Sequence, residues 1–352
     1  STGGSGGSGG SGGLFTGGGS GGNGGWPGPV TISNAGDITL SDESTDLSVG
    51  SVAILAQSVG GQGGNSGSGG LLISYGNTGG TGGTAQPIAV MHTGSVITSG
   101  DVAIGLNAQS VGGGGGSVPD QTSLTSVGST NGGAGGDGGA VSLSIKASET
   151  GDRALVKTSG RFSIAALAQS IGGSGGSVGY QNNLVSVGGT AGGGGNSGSV
   201  AVTLSGADIN TTDEASAGGG DFSIGVAIQA IGGGGGNAAG GQGVWSVGVD
   251  GGGGGDGGTI TGVFGDVDIQ TSGKFAIGAL MQSIGGGGGN GAATSSNAAA
   301  ASMGVGGYQD SGDGGSGGDG GSIQLSADGS GIPLTIRTQG DHASGLIAQS
   351  LG

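Results

Sequence analysis

The chain has 352 residues, of which 105 are Gly, with 3% aromatic residues, 8% charged residues and no Cys. This composition excludes an ordinary globular core, and with only 5 Pro and no strict three-residue period it excludes collagen too. A formal net charge of −16, from 22 acids against six bases (Lys146, Arg153, Lys157, Arg161, Lys274 and Arg337), leaves no basic stripe for nucleic acid or an anionic membrane.

No stretch is apolar over the roughly 18 residues that a spanning helix needs. The first residues are Gly and Ser rather than a secretory leader, so for a secreted chain the expected N-terminus lies elsewhere. Without Cys there are no disulfides, and stability is expected to come from repetition.

Residues 1–29 read as the Gly/Ser-rich section of a preceding unit, and 30–352 as a repeat array expected to continue past both ends. The array is marked by Ala-Gln-Ser, an aliphatic residue and a Gly run, with Gln at 57, 109, 169, 229, 282 and 349. Successive Gln residues are 52, 60, 60, 53 and 67 positions apart. A Gly stands nine residues before the Gln in five copies (Gly100, Gly160, Gly220, Gly273 and Gly340), with Ser48 in the first. Seventeen residues after the Gln a Ser-Val-Gly-like motif begins, at Ser74, Ser126, Ser186 and Ser246; the fifth copy is displaced to Ser302-Met303-Gly304.

Each unit of about 50–65 residues therefore reads as three short strands separated by Gly-rich tracts. Val141 to Ile145 and Ile323 to Leu325 exemplify the first, with period-2 alternation. Phe162 to Ile171 exemplifies the second, which leads into the Gln, and Asn183 to Val187 the third. Tracts such as 112–116 and 132–139 lie between them, and no helical periodicity appears. The constant Gln-to-Ser length argues for ordered, polyproline-II-like Gly strands rather than loose loops. Ordering a Gly costs roughly 0.5–1 kcal/mol more than ordering Ala, which is worthwhile only where a Cβ would obstruct backbone packing.

The second strand is apolar on both faces. Phe162, Phe222 and Phe275 stand seven before the Gln, Ile104, Ile164, Ile224 and Ile277 five before it, and Leu55, Leu167 and Leu280 on the opposite face. Such a strand is expected to be buried on both sides, inside the stack, with those Phe and Ile residues as core. Strands stacked about 4.8 Å apart would align Gln57, Gln109, Gln169, Gln229, Gln282 and Gln349 into a ladder whose amides bond one another; a Gln that merely caps a turn is the other reading.

Few residues invite chemistry. His92 and His342 lie in different units and read as peripheral strand residues, so neither a catalytic nor a metal site is expected. Asp137, Asp256, Asp313 and Asp319 sit in Gly tracts but are followed by Gly-Gly, not by the aliphatic residue of calcium-binding nonapeptides, and read as solvated turn residues. No Lys-Ser/Thr follows a Gly run, which rejects a phosphate loop, and no cofactor is expected. Trp26, Trp245, Tyr180 and Tyr308 read as isolated packing posts.

The pattern Gly-x-aliphatic-x-Thr-x-Gly, then Gly-aliphatic-x-Ala-Gln-Ser-Ile followed by Gly, runs through 99–116, 159–176 and 265–289. It resembles the Gly-rich passenger repeats of large bacterial autotransporter-like surface adhesins. That resemblance implies export, an extracellular or cell-surface location, a β-solenoid-like passenger and no catalytic residues. The expected function is a structural or adhesive component of a surface fibre, self-associating through stacked units, with host or matrix surfaces as further partners. The alternative is an ice- or polymer-binding module, against which the positions that would carry an exposed Thr ladder vary between Thr98, Thr158, Ala217 and Thr271. A β-helical polysaccharide enzyme would need an acidic constellation interrupting the repeat, and no unit contains one.

Overall fold

The computed structural model describes residues 1–41, 50–211, 220–296, 308–329, 331 and 333–352. Among these every regular element is a β-strand, and the strands stack in parallel, each pairing with its equivalent in the next unit. Ser48 and Ser302-Met303-Gly304 lie outside the described residues. Three large sheets result, of ten, six and seven strands.

The ten-stranded sheet begins each unit. Its fullest rungs are single strands, Val200–Thr211 and Ile260–Ser272. In the preceding unit the same rung is split into Val141–Lys146 and Ala154–Ser159 by the segment 147–153. The sequence pattern showed one short strand here, because the second half, with Ala154, Val156 and Thr158 facing inward, lies beyond an insertion. The two halves join where the backbone turns left-handed, at Gly206 (φ 62°) and at Asp266 (φ 51°).

The six-stranded sheet carries the Gln residues in strands Val52–Val59, Ile104–Val111, Ile164–Ile171, Ile224–Ile231, Ile277–Ile284 and Ser344–Leu351. It packs by one face only. Ala166, Ala168, Val226, Ile228, Ala279 and Met281 meet Leu143, Ile145, Leu204, Ile209, Phe264 and Ile269 of the ten-stranded sheet. Large residues on one sheet face small ones on the other, and each fully buried aliphatic contributes roughly 1.5–3 kcal/mol.

Two expectations are corrected here. The Gln strand is not buried on both sides: Ile104, Ile164, Ile224 and Ile277 face outward, half-buried by their ladder neighbours rather than by a second layer. Phe162, Phe222 and Phe275 are 42%, 45% and 47% exposed, so they are no part of the core. The strand has apolar residues on both faces, yet among the described residues only one sheet lies within reach to cover it.

Beyond this sandwich the chain runs out along one Gly tract and back along another. Bonds recur every third residue. In the outward tract Gly112 and Gly115 donate to Ile171 and Ser174 of the next rung, at 2.8 Å each. Gly113 and Gly116 donate instead to Gly83 and Gly80 of the neighbouring returning tract, at 2.9 and 2.8 Å. This three-residue period matches the three residues per turn of a polyproline-II helix. Two of every three positions thus abut backbone: a Cβ on Gly173 would stand 2.0 Å from the Gly113 carbonyl oxygen. The third position opens outward, and a Cβ on Gly287 would meet nothing within 4 Å.

Between the two tracts lies the seven-stranded sheet at the tip, including Gln121–Val127 and Gln181–Ser186. Ser74, Ser126, Ser186 and Ser246 point from it towards the Gly tracts and are buried. A small second core of Val118, Val178, Ala191, Val249 and Ala292 joins the tip to the tracts. Residues 1–29 form the same pair of tracts, Gly9 bonding to Asn65 and Gly19 to Gly10, with a short turn at Leu14-Phe15.

Candidate functional site

The repeated spacing stacks like residues into columns, and the columns are the site. The strongest is the amide ladder. Gln57 Nε2 donates to Gln109 Oε1 (2.8 Å), Gln109 to Gln169 (2.7 Å), Gln169 to Gln229 (2.7 Å), Gln229 to Gln282 (2.9 Å) and Gln282 to Gln349 (2.8 Å). The ladder is on the outer face, not buried, so each amide trades one water bond for one protein bond on each side.

The Ser after each Gln faces inward. Ser170 Oγ donates to the Gly139 carbonyl of its own rung (2.9 Å) and accepts the Gly198 N–H of the next (2.8 Å). Ser283 does the same with Gly258 and Gly321. The copy with Ala230 lacks this hydroxyl, and Ser197 supplies it from the facing returning tract: Gly258 N–H donates to Ser197 Oγ at 2.6 Å. The Ser197 slot is Gly138 and Gly257 in the rungs of Ser170 and Ser283, where a Cβ would stand 2.5 or 2.6 Å from the Ser Oγ, and Ala85 in the rung of Ser110. One hydroxyl is kept per rung, on either strand.

At the corner between the two sandwich sheets the Gly nine before the Gln is left-handed, φ 112° at Gly160 and 123° at Gly273. Two residues on, Val102, Phe162, Phe222, Phe275 and His342 are left-handed too, with φ from 57° to 62°. The rings stack: centroids lie 4.9 Å apart from Phe162 to Phe222, 5.2 Å to Phe275 and 5.1 Å on to His342. The residue between is Asp101, Arg161, Asp221, Lys274 and Asp341 in successive rungs, a column of alternating sign. Arg161 pairs with Asp101 at 2.6 Å and holds that carboxyl below the usual carboxylate range. The Asp carboxylates also cap backbone, Asp101 accepting Arg161 N–H (2.8 Å) and Asp221 accepting Lys274 N–H (2.7 Å).

Capping also explains the Asp residues of the Gly tracts. The outward third position has an N–H with no tract partner, and the side chain one rung below accepts it. Asp137 caps Asn196 (2.8 Å), Asn196 caps Asp256 (2.7 Å), Asp256 caps Asp319 (2.9 Å) and Asp250 caps Asp313 (2.8 Å). These positions are exposed but bonded, not loose turns. Among the described residues no three His, Asp or Glu side chains gather as a metal-binding cluster.

Other sequence readings shift. His92 is fully buried rather than peripheral, its Nδ1 3.1 Å from Asn34 Nδ2, and burial lowers its pKa. Thr98, Thr158 and Thr271 point into the sandwich and are buried, so they present no exposed Thr array. Trp245 and Tyr308 stand together at the tip, centroids 5.5 Å apart, and both are more than half exposed, as is Trp26. The inward Ser, the alternating charges and the third-position caps were all readable by aligning the units residue by residue, a step finer than locating their motifs.

No protein family, curated protein or solved structure matches the chain. Among the described residues no helix is long and apolar enough to cross a membrane.

Proposed function

We propose that this chain is a structural and adhesive component of a secreted bacterial surface fibre, built from units of about 50–65 residues that associate by stacking. The observation that carries this reading is the amide ladder, which makes the same Nε2-to-Oε1 bond at five successive interfaces within 2.7–2.9 Å. An interface that repeats unchanged between unlike neighbours can be extended by another unit of the same kind, and stability then grows as a sum of nearest-neighbour terms. Adhesion would belong to the exposed tip, where Leu124, Val127, Val187, Trp245 and Tyr308 face outward.

Electron microscopy of the purified chain at rising concentration tests the reading. Filaments of constant width, with a spacing of about 4.8 Å along their length, are expected. Discrete particles that do not lengthen at any concentration would overturn it.

A further inference from the structure

Among the described residues no layer covers the outer face of the six-stranded sheet, although the columns beside its Gln ladder are aliphatic except at Asn107. Leu55, Leu167 and Leu280 stand in one column and Val111, Ile171 and Ile231 in another, on either side of the amide ladder. None of the residues in these six strands is charged, in a chain whose formal net charge is −16. The outer surfaces of the other layers differ. The ten-stranded sheet carries Asp208, Asp268 and Arg337, and the Gly tracts carry Asp250, Asp256 and Asp319.

We infer that this neutral face binds a second copy of itself, pairing two chains side by side. Charge selects the partner. Two copies of a strongly acidic chain repel across the ten-stranded sheet and the Gly tracts. The tip is nearly neutral but carries Asp310 in its last strand, whereas this face has no charge in any of its strands and lets the copies approach without bringing like charges together. Area agrees. Six strands at about 4.8 Å and seven residues at about 3.3 Å give roughly 650 Å² of projected face. The exposed edge of the Phe ladder brings this towards the roughly 800 Å² per partner of a standard stable interface.

Polar cost is also low. Each inner Gln amide already donates and accepts along its own ladder, so covering the column leaves neither its Oε1 nor its Nε2 wholly unpaired. A contact between identical faces closes by a twofold axis and stops at two chains. It differs in direction from growth along the stack, and neither requires the other.

Sedimentation velocity and cross-linking of the whole chain test this. Below the concentration at which filaments form the chain is expected to reach a monomer–dimer equilibrium, and Leu167→Lys with Leu280→Lys should weaken dimerisation at least about tenfold. Asp256→Lys, on a Gly-tract surface, should not weaken it. Because the chain lacks Cys, Leu167→Cys should give disulfide-linked dimers under mild oxidation while Ser142→Cys, on the outer face of the ten-stranded sheet, should not. If the lysines unfold the chain by circular dichroism, the cysteine pair decides alone. A monomer at every concentration, undiminished dimers in the lysine variant, or equal cross-linking at Ser142→Cys would overturn the inference. Cross-linking at Leu167→Cys without filament growth would retain the side-by-side pair and remove the fibre.

Discussion

The sandwich and the Gly tracts solve the same problem by opposite means. In the sandwich, side chains such as Leu204, Ile209 and Phe264 exclude water, and the backbone follows the packing. In the tracts there are almost no side chains to bury, and the carbonyl of one strand occupies the space where the neighbour's Cβ would be. Stability there comes from a dense backbone hydrogen-bond network offsetting the extra conformational entropy of Gly. The sandwich should therefore tolerate volume changes that the tracts cannot, while the tracts should accept substitution freely at every third position.

The largest expected effect breaks that comparison at one residue. Gly173→Ala drives a Cβ to 2.0 Å from the Gly113 oxygen and 2.6 Å from its carbon, and backbone cannot yield as a side chain does. A loss above about 3 kcal/mol is expected in urea unfolding, beyond ordinary overpacking. Gly234→Ala sits in the open third position, where the nearest atom is the Gly287 oxygen at 3.8 Å. It should be neutral or stabilise by up to about 1 kcal/mol through the unfolded state. Equal effects at the two positions would show that the tracts do not pack as described.

A mid-sized effect comes from the hydroxyl that ties the two regions together. Ser197→Gly leaves the Gly258 N–H without its acceptor and should cost about 1–3 kcal/mol. Adding Ala230→Ser recreates the arrangement of Ser283 and Gly257 and should recover most of that loss. The coupling is read from a double-mutant cycle by denaturant melts, and simple additivity would show that Ala230 and Ser197 do not share one role.

The sandwich also holds the one histidine that burial should make pH-sensitive. His92 has its folded pKa lowered by desolvation, so the unfolded chain binds more protons once pH falls below about 6.5. Stability should be level in this respect above that pH and decline below it. His92→Leu, which places an aliphatic beside its ladder partner Ile145, should flatten the slope between about pH 6.5 and 5. Below that range Asp101, whose pKa is depressed by Arg161, adds its own loss as it protonates. An unchanged slope in His92→Leu would show that His92 is not the titrating group.

Sequence alone reached the stacked β architecture and the alignment of the Gln residues, because a fixed motif at near-constant spacing has few other arrangements. It misjudged the faces. Phe162 and Ile164 are apolar, and periodicity records that a face is apolar without recording whether another layer lies near enough to cover it. The left-handed corner was equally hidden, since Phe, unlike Gly, gives no sign of positive φ. The split rung at 141–159 was missed because an insertion interrupts its alternation. His92 was misplaced because burial depends on Ile145 and Asn34 beside it, residues 53 and 58 positions away in the chain.

The smallest effect is the most discriminating about that corner. Phe222 sits at φ 59°, a conformation costing a non-Gly residue roughly 1–2 kcal/mol. Against this it has two stacked neighbours at 4.9 and 5.2 Å, each worth at most about 0.5–1.5 kcal/mol and less here because the ring is 45% exposed. Phe222→Ala removes both stacks and keeps the strain, so it should destabilise by about 1–2 kcal/mol. Phe222→Gly removes the stacks and the strain together, and the greater freedom of unfolded Gly offsets part of the relief. It should fall within about 0.5 kcal/mol of the parent chain. At an ordinary strand position Ala is the better residue, and here the order reverses. Parallel urea melts of the two variants settle the sign. If Ala proved as stable as Gly, the left-handed corner would carry no strain.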